Sequence, residues 1–350
     1  MSGRPTVKGM VAALVLGCLL TILAAEGVLR IAMPHWREFY SGWFVHNIRV
    51  PDYGLVPTGR PGFDGYFSQN NGDFRVRIRI NDFGLRNPDP VDRADGRVWF
   101  IGDSMAFGWG VKQTEMYSSV AGQLLGTPTY NIASPGTDVC GYQALLARMP
   151  KAAKPRAVII GLIMENDIGK YDCRAAAEAE KDAQIGDMTA TVADPKIFLT
   201  RNTALFNFLA VSLKRVSFIN KSLIALGLIE RPHADTRQKS LARMAASVER
   251  TAAELEAIRD MLPPGIPFAV LIAPVRFEIR DGNPFFRKLR QEMVSALAKR
   301  NIPALDPIDE FLKAGFGPSH FAHDGHWSPL GHEIAGRIAA DWLRRQGYGG

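Results

Sequence analysis

Two distant segments of the chain contain the residue types that nucleophilic catalysis requires. Ser104 stands in the stretch WFIGDSMAFGWGV, directly after an apolar run, while Asp324 and His326 stand in HFAHDGHWSPLGHEIAG near the C-terminus. A carboxylate two residues before a histidine can accept the Nδ1–H of the imidazole, which leaves Nε2 facing outward as a base for a serine hydroxyl. The competing interpretation of Ser104 is a helix N-cap, a common role of serine, and Asp324 could simply stabilise its loop.

Two other loops carry groups that could face the same reaction. Gly136 follows a proline in NIASPGTDVCGYQ, where a bare backbone N–H can be aimed outward. In LIMENDIGKYD, Asn166 can present an amide N–H and Asp167 can hold the loop. Either feature alone is common in loops. They indicate a functional site only because each loop directly follows a predicted strand.

A metal site is a weaker interpretation of the C-terminal segment. His320, His323 and His326 recur at intervals of three residues. Neither carboxylates nor cysteines complete such a ligand set, so the sequence does not favour a metal site. The neighbouring His323 and His332 are expected to be structural or surface groups.

Short apolar runs alternate with helical patterns from residue 97 onward, which is typical of a parallel sheet covered by helices on both faces. The predicted strands are Val98–Ile101, Thr129–Ile132, Ala157–Ile163, Phe268–Ala273 and Ile302–Leu305. The last helix is predicted to follow an N-cap at Ser328 with Pro329 at its first position. Because working residues gather at the carboxyl ends of parallel strands, Ser104, Gly136 and Asn166 are expected at one edge of this sheet.

The N-terminus predicts a membrane anchor over residues 1–33. Arg4 and Lys8 precede the uncharged stretch Gly9–Ala25, and Glu26 interrupts an apolar pattern that then continues. A positive flank before an apolar stretch is typical of a signal anchor. A cleaved signal sequence and a buried N-terminal helix are the alternatives.

Two segments lie outside the sheet pattern. Residues 34–95 are predicted to form a small, partly β pre-domain, with FRVRIRIND as a half-buried strand. Residues 168–236 form an insertion in the domain 96–350, expected to be a helical cap over the site, with membrane-surface contact as the alternative.

The net charge and the cysteines of the chain bear on nucleic-acid binding and on disulfide formation. The 350 residues carry a formal net charge of +7 with scattered cations, which does not favour nucleic-acid binding. Cys140 and Cys173 could pair in an oxidising compartment or stay free.

Taken together, the blocks resemble the SGNH/GDSL hydrolase superfamily. GDS follows the first strand, a glycine the second, END the third, and Asp-x-His precedes the last helix. The resemblance covers roughly residues 97–345 and implies a three-layer α/β/α flavodoxin-like fold with a five-stranded parallel sheet. It implies that Ser104 is the nucleophile, His326 the general base and acid, and Asp324 the residue that orients His326. The oxyanion hole would consist of the backbone N–H groups of Ser104 and Gly136 with the Asn166 side chain.

Supporting roles and two departures complete the comparison with the family. Asp103 and Asp167 would support the site from beside Ser104 and Asn166. Met164 occupies a position that is usually glycine, which could narrow the pocket. The block Asp324-x-His326 is shorter than the usual Asp-x-x-His and is similar to that of the alginate O-acetylation proteins.

The expected function is therefore an envelope-anchored serine esterase that acts on O-acyl esters of envelope or extracellular glycans without a cofactor. An O-acetyltransferase acting on polysaccharide, with partner proteins for polysaccharide modification, is the first alternative. An inactive glycan-binding or assembly protein is the second. The catalytic domain is expected on the periplasmic or extracellular side of the inner membrane.

Overall fold

The computed structural model describes residues 6–69, 72–169, 171–182, 195–215 and 241–348, together with residues 222 and 225. It divides the chain into two compact units. The smaller contains Met1–Tyr40, Ser68–Gly72 and Ile185–Glu230, and the larger contains Ser41–Phe67, Asp73–Gln184 and Arg231–Gly350.

The regular elements within the described residues are numbered in chain order. The strands are β1 Val45–Val50, β2 Gly54–Gly59, β3 Asp64–Ser68, β4 Arg75–Arg79, β5 Val98–Gly102, β6 Thr129–Asn131, β7 Ala157–Ile163, β8 Phe268–Ala273 and β9 Ala304–Leu305. The helices are α1 Val7–Ala32, α2 Ser104–Phe107, α3 Tyr117–Leu125, α4 Val139–Ala147, α5 Cys173–Asp182, α6 Pro195–Asn202, α7 Ala204–Arg215, α8 Leu241–Asp260, α9 Arg276–Asp281, α10 Pro284–Ala298, α11 Ile308–Ala314, α12 Phe316–Ser319 and α13 Pro329–Arg345.

The larger unit is built on a five-stranded parallel sheet with the order β6–β5–β7–β8–β9. This is the flavodoxin-like strand order. The predictions of a parallel sheet and of its five strands are confirmed, with β6 and β9 shorter than the apolar runs suggested. The sheet brings the carboxyl ends of β5, β6 and β7 to one edge, since the three strands are parallel neighbours.

Two hydrophobic clusters cover the two faces of this sheet. Trp99 and Ile101 of β5 pack in a cluster with residues of α4, α8 and α10. Val98 and Phe100 point the other way and pack with residues of α3 and α13. Because side chains alternate along β5, the strand contributes residues to both clusters. The sheet with helices on both of its faces is the three-layer arrangement that was expected.

The segment 34–95 contains two pairs of strands. β1 pairs with β2 in antiparallel fashion, and β3 pairs with β4. In β4 the side chains of Val76 and Ile78 are buried while Arg75, Arg77 and Arg79 are exposed, as the alternating pattern predicted. From residue 41 to residue 67 and from residue 73 onward, this segment belongs to the same compact unit as the sheet.

The insertion 168–236 is described only in part. Within it, α5 lies in the larger unit, and α6 and α7 lie in the smaller unit. Of its residues, 170, 183–194, 216–221, 223–224 and 226–236 lie outside the described residues. The predicted cap over the site therefore stays a prediction.

Candidate active site

The site is built on a chain of three side chains from distant parts of the sequence. His326 Nε2 lies 2.8 Å from Ser104 Oγ. On its other side, the Nδ1 atom of His326 is hydrogen-bonded to Asp324 Oδ1. The backbone N–H of His326 also donates to Asp324 Oδ1, at 3.3 Å. The structure therefore places a hydroxyl, a base and a carboxylate in the contact order that an activated serine requires.

Ser104 lies half-buried at the sheet edge because of the tight turn between β5 and α2. A side chain at Gly102 would bring its Cβ to 2.7 Å from Ala106 Cβ and 2.9 Å from the Gly161 carbonyl, so only glycine fits there. Asp103 caps α2 by accepting from the N–H of Met105 at 3.0 Å. The turn delivers Ser104 directly after a buried strand and places it within reach of His326.

Asp103 and Asp167 are both buried close to the serine turn. Asp167 Oδ2 accepts from the Tyr142 hydroxyl and from the N–H of Ile163, each at 2.7 Å. Burial raises the pKa of Asp103 well above its ordinary value, and the negative charge of Asp167 adds to this effect. The Asp103 carboxyl group consequently takes up a proton at a higher pH than an exposed aspartate does.

The loop after α2 is held by Arg86, which the sequence analysis did not single out. Its guanidinium is fully buried and donates to the carbonyls of Phe107, Gly108 and Val111. Burial lowers its pKa to about 9, so it remains a cation at neutral pH. Its partners are backbone atoms that only the fold brings near.

The C-terminal loop is held by Asp73, a second residue that the sequence analysis missed. Asp73 Oδ2 accepts from the backbone N–H groups of His323 and Asp324, each at 3.0 Å, and Asp73 Oδ1 lies 2.7 Å from His323 Nδ1. The pairing spans about 250 residues of sequence, so no local spacing predicts it. On the other side of the loop, Ser328 caps α13 with Pro329 in the first turn, as predicted.

Aromatic side chains pack against His326, the candidate base. The indole of Trp109 stacks on the His326 ring with 5.5 Å between the centroids, and Phe67 packs edge-on against Trp109 at 4.5 Å. The Asp324 side chain beside it is mostly buried. Burial would raise the pKa of Asp324, but the hydrogen bonds and charge of His326 outweigh it and hold the pKa below its ordinary value. Asp324 is therefore ionised at neutral pH and can stabilise an imidazolium on His326.

The other histidines of this segment have separate partners. His320 Nδ1 lies 2.9 Å from Ser319 Oγ, and burial lowers the pKa of His320 to about 4. His332 accepts from the N–H of Tyr117 at 3.3 Å, and burial lowers its pKa to about 3. His323 is exposed and pairs with Asp73. Across the described residues, no group of three histidine, cysteine or acidic side chains is arranged to hold a metal ion.

The Gly136 turn is tied to the strand that carries Ser104. Gly136 is exposed and has a φ of 79°, which favours glycine. The carbonyl of Gly102 accepts from the N–H of Ser134 at 3.0 Å and from the hydroxyl of Thr137 at 3.3 Å. The turn thus sits beside the end of β5, two residues before Ser104.

The loop that carries Asn166 follows β7 at the neighbouring position. The backbone N–H of Asn166 donates to the Ile163 carbonyl at 3.1 Å. Met164, at the position where the resemblance leads one to expect glycine, is fully buried in the cluster that contains α4, α8 and α10. Its side chain is therefore part of the core. The oxyanion-hole roles of Gly136 and Asn166 stay predictions.

A disulfide joins the two segments that follow β6 and β7. Cys140, in α4, is bonded to Cys173, at the start of α5. The Tyr142–Asp167 hydrogen bond joins the same segments a few residues away. The pairing that the sequence left open is thus formed, and it crosslinks the Gly136 turn to the Asn166 loop.

Replacing Cys140 with serine is expected to lower the free energy of unfolding by about 2–4 kcal/mol, because the bond closes a loop of 33 residues. Urea unfolding of the full chain in detergent measures this effect. Cys18→Ser is the matched control, since Cys18 is a free cysteine on the exposed surface of α1. Equal unfolding midpoints for the two variants would contradict a stabilising role of the bond.

No protein-family model and no curated protein matches the sequence. Solved structures do resemble this one. A member of the lipolytic G-D-S-L family from Veillonella parvula has a TM-score of 0.40 and 12% identity, over 71% of this chain and 98% of that one. The lipase/acylhydrolase of Enterococcus faecalis has a TM-score of 0.41 and 12% identity, over 71% and 96%. A carbohydrate esterase family 2 enzyme with a carbohydrate-binding domain, from Corynascus thermopiles, has a TM-score of 0.40 and 14% identity, over 75% and 68%.

Proposed function

We propose that the protein is a serine ester hydrolase of the SGNH/GDSL type. The observation that carries this proposal is the contact of Ser104 Oγ with His326 Nε2 at 2.8 Å, with Asp324 on the opposite ring nitrogen. The shared hydrogen bond gives the serine a base within proton-transfer distance. The buried, ionised Asp324 gives that base a partner that stabilises its charged form.

In this mechanism His326 takes the Ser104 proton while Oγ attacks the carbonyl carbon of the ester. The resulting tetrahedral intermediate collapses and breaks the bond to the alcohol, and His326 protonates the departing alkoxide. The acyl group is then bonded to Ser104 Oγ. A water molecule, deprotonated by His326, then attacks the acyl carbon. The second tetrahedral intermediate breaks its bond to Ser104 Oγ and releases the carboxylic acid, and His326 returns the proton to Oγ.

The negative charge on the tetrahedral oxygen needs donors that are positioned in advance. The backbone N–H groups of Ser104 and Gly136 and the Asn166 amide are assigned this role, because all three follow neighbouring parallel strands. The hydrogen bonds to the Gly102 carbonyl and the Cys140–Cys173 bond would keep the donors in place.

Asn166→Ala is expected to lower kcat by about 10²–10³-fold with little change in KM, because the donor acts on a charge that exists only in the transition state. Steady-state hydrolysis of p-nitrophenyl acetate measures both constants. Gln123→Ala, at an exposed position of α3, is the matched control. A large rise in KM at constant kcat would assign Asn166 to substrate binding instead.

The proposed substrates are O-acyl esters on glycans. A cavity of about 450 Å³ adjoins Gly136 and lies between the β1–β2 hairpin and the starts of α4 and α5. Tyr53, Tyr171, Asp138 and Asp172 are among the residues that line it. Aromatic faces with polar groups at their rim suit a sugar ring better than a long acyl chain.

Tyr171→Ala is expected to raise KM for acetylated xylo-oligosaccharides by about tenfold, which corresponds to the loss of one aromatic contact of about 1.4 kcal/mol. Hydrolysis of p-nitrophenyl acetate should stay within twofold of the wild type, since this ester has no sugar to fill the cavity. Tyr348→Ala, near the C-terminus and outside this cavity, is the matched control. Equal losses on both esters would show that the cavity does not bind the sugar.

An O-acetyltransferase is the second candidate, favoured by the spacing of Asp324 and His326. The two residues make their hydrogen bond across a single intervening residue, and this short spacing is similar to that of the alginate O-acetylation proteins. In that reaction a sugar hydroxyl replaces water in the second half. Incubation with p-nitrophenyl acetate and an unmodified oligosaccharide, followed by mass spectrometry of the sugar, separates the two functions.

The location follows from the anchor and the disulfide. Within the described residues, α1 is the helix that is long and apolar enough to cross a membrane, and none of its hydrophobic window is buried. The Cys140–Cys173 bond favours an oxidising compartment. We therefore place the larger unit on the periplasmic or extracellular side, with α1 as its anchor.

A further inference from the structure

The anchor helix α1 carries two charged residues near its end, and both are engaged by the insertion. The carboxylate of Glu26 accepts from the N–H of Ala204 at 2.9 Å and from that of Leu205 at 2.8 Å, at the start of α7. Arg30 donates to Glu26 at 2.7 Å and to the Asn202 carbonyl at 2.8 Å. A carboxylate on otherwise unpaired N–H groups is a stabilising helix cap. The start of α7 is thus attached to α1 at residue 26.

The position of Glu26 along α1 determines the depth of this attachment. The uncharged stretch Gly9–Ala25 spans about 26 Å as a helix, close to the roughly 30 Å of a bilayer core. With Lys8 at the inner boundary, Glu26 reaches the outer one. The placement of Glu26 at the outer boundary rests on the proposed role of α1 as a membrane anchor.

Aromatic side chains lie at the same end of α1. The ring of Trp36 has the guanidinium of Arg30 at 5.2 Å and that of Arg37 at 5.3 Å. Tyr40 has the guanidinium of Arg201, from α6, at 5.3 Å. Tryptophan and tyrosine concentrate where a bilayer meets water; the Trp36 ring is itself buried within the smaller unit, and Tyr40 is half-buried.

The helices α6 and α7 expose large apolar side chains although they belong to a folded unit. Phe198 is 62% exposed and Phe208 is 40% exposed, and Leu199 and Leu209 are similarly accessible. The end of α1 beside them exposes Val28 and Ile31. Both helices carry cations and no acidic residue: Lys196, Arg201, Lys214 and Arg215. This combination is typical of helices that lie in a membrane interface.

We propose that α6 and α7 lie in the outer interface of the bilayer that α1 spans. Phe198 and Phe208 would enter the boundary between headgroups and acyl chains, and the exposed Lys196 would face acidic phospholipid headgroups. The occupant of this surface is lipid, because its charge sign, its apolar side chains and its attachment at the outer end of α1 all match a bilayer surface. The smaller unit would then be held to the membrane by more than a single helix.

The test measures the depth of labelled side chains in vesicles. Phe198→Cys and Phe208→Cys are made separately in the full chain with Cys18→Ser, labelled with an environment-sensitive fluorophore and reconstituted into phosphatidylethanolamine–phosphatidylglycerol vesicles. Leu312→Cys, an exposed leucine of the larger unit, is the matched control, and Leu14→Cys reports insertion of the anchor. The native Cys140–Cys173 pair does not react without a reductant.

The expected result is at least twofold stronger quenching of the 198 and 208 labels than of the 312 label by lipids with a nitroxide near the carbonyl end of the chain. Quenching by aqueous iodide alone would overturn the proposal, because the helices would then lie in water. Protection from both quenchers would overturn it as well, because protein would cover the surface. An unquenched label at residue 14 would show that the anchor itself is not inserted and would remove the premise, whether or not the enzyme is active.

Discussion

Ser104→Ala is expected to lower kcat for p-nitrophenyl acetate by about 10⁴-fold or more, because no acyl-enzyme can form without the hydroxyl. The thermal unfolding temperature should change little. Ser104 is only half-buried, and its side chain fills no part of the hydrophobic clusters. The loss would therefore be chemical rather than structural.

A covalent probe gives the same prediction an independent readout. A fluorophosphonate should phosphonylate the wild-type protein once, at Ser104, and should leave Ser104→Ala unlabelled by mass spectrometry. Ser119→Ala, a partly exposed serine of α3, is the control and should be labelled normally. Near-normal turnover of Ser104→Ala, or labelling at another serine, would make the assignment of the nucleophile wrong.

Asp324→Asn is expected to lower kcat by about 10²–10⁴-fold with KM nearly unchanged. The asparagine amide can donate to His326 Nδ1, which would move the ring proton to Nε2 and leave no lone pair to accept the Ser104 proton. The wild-type carboxylate instead accepts from Nδ1, and its pKa is held low enough for it to be charged at neutral pH. Replacing the accepting carboxylate of residue 324 with a donating amide would therefore change which nitrogen of His326 carries the proton.

Asp73→Asn is the matched control for Asp324→Asn. Asp73 holds the same loop through the backbone N–H groups of His323 and Asp324, and an asparagine oxygen can still accept from them. Its effect on kcat is expected to stay below about tenfold. If the two variants lost activity equally, Asp324 would act by holding the loop and not by orienting His326.

The sheet can be predicted from the sequence because each of its strands is a short apolar run flanked by a turn and a helical pattern. Such periodicity is local, so β5, β7 and β8 were predicted almost residue by residue. The candidate catalytic residues were equally visible, since each directly follows a strand or precedes a capped helix. Their position at the strand ends follows from the topology of a parallel sheet.

The residues that hold the site in place were not visible in the sequence. Arg86 binds three backbone carbonyls, and Asp73 binds two backbone N–H groups. Backbone atoms have no sequence signature, and these partners are separated by 20 to 250 residues. The contacts exist only once the chain has folded.

The sequence by itself therefore determined the parallel sheet, the anchor pattern and the candidate residues Ser104, Asp324 and His326, because local periodicity and strand-end position encode them. Only the tertiary structure decided that these three side chains meet at hydrogen-bonding distance, that Cys140 pairs with Cys173, and that Glu26 caps α7. Each of these is a contact between residues far apart in the chain. Such contacts depend on how the packed elements orient side chains, which no local pattern records.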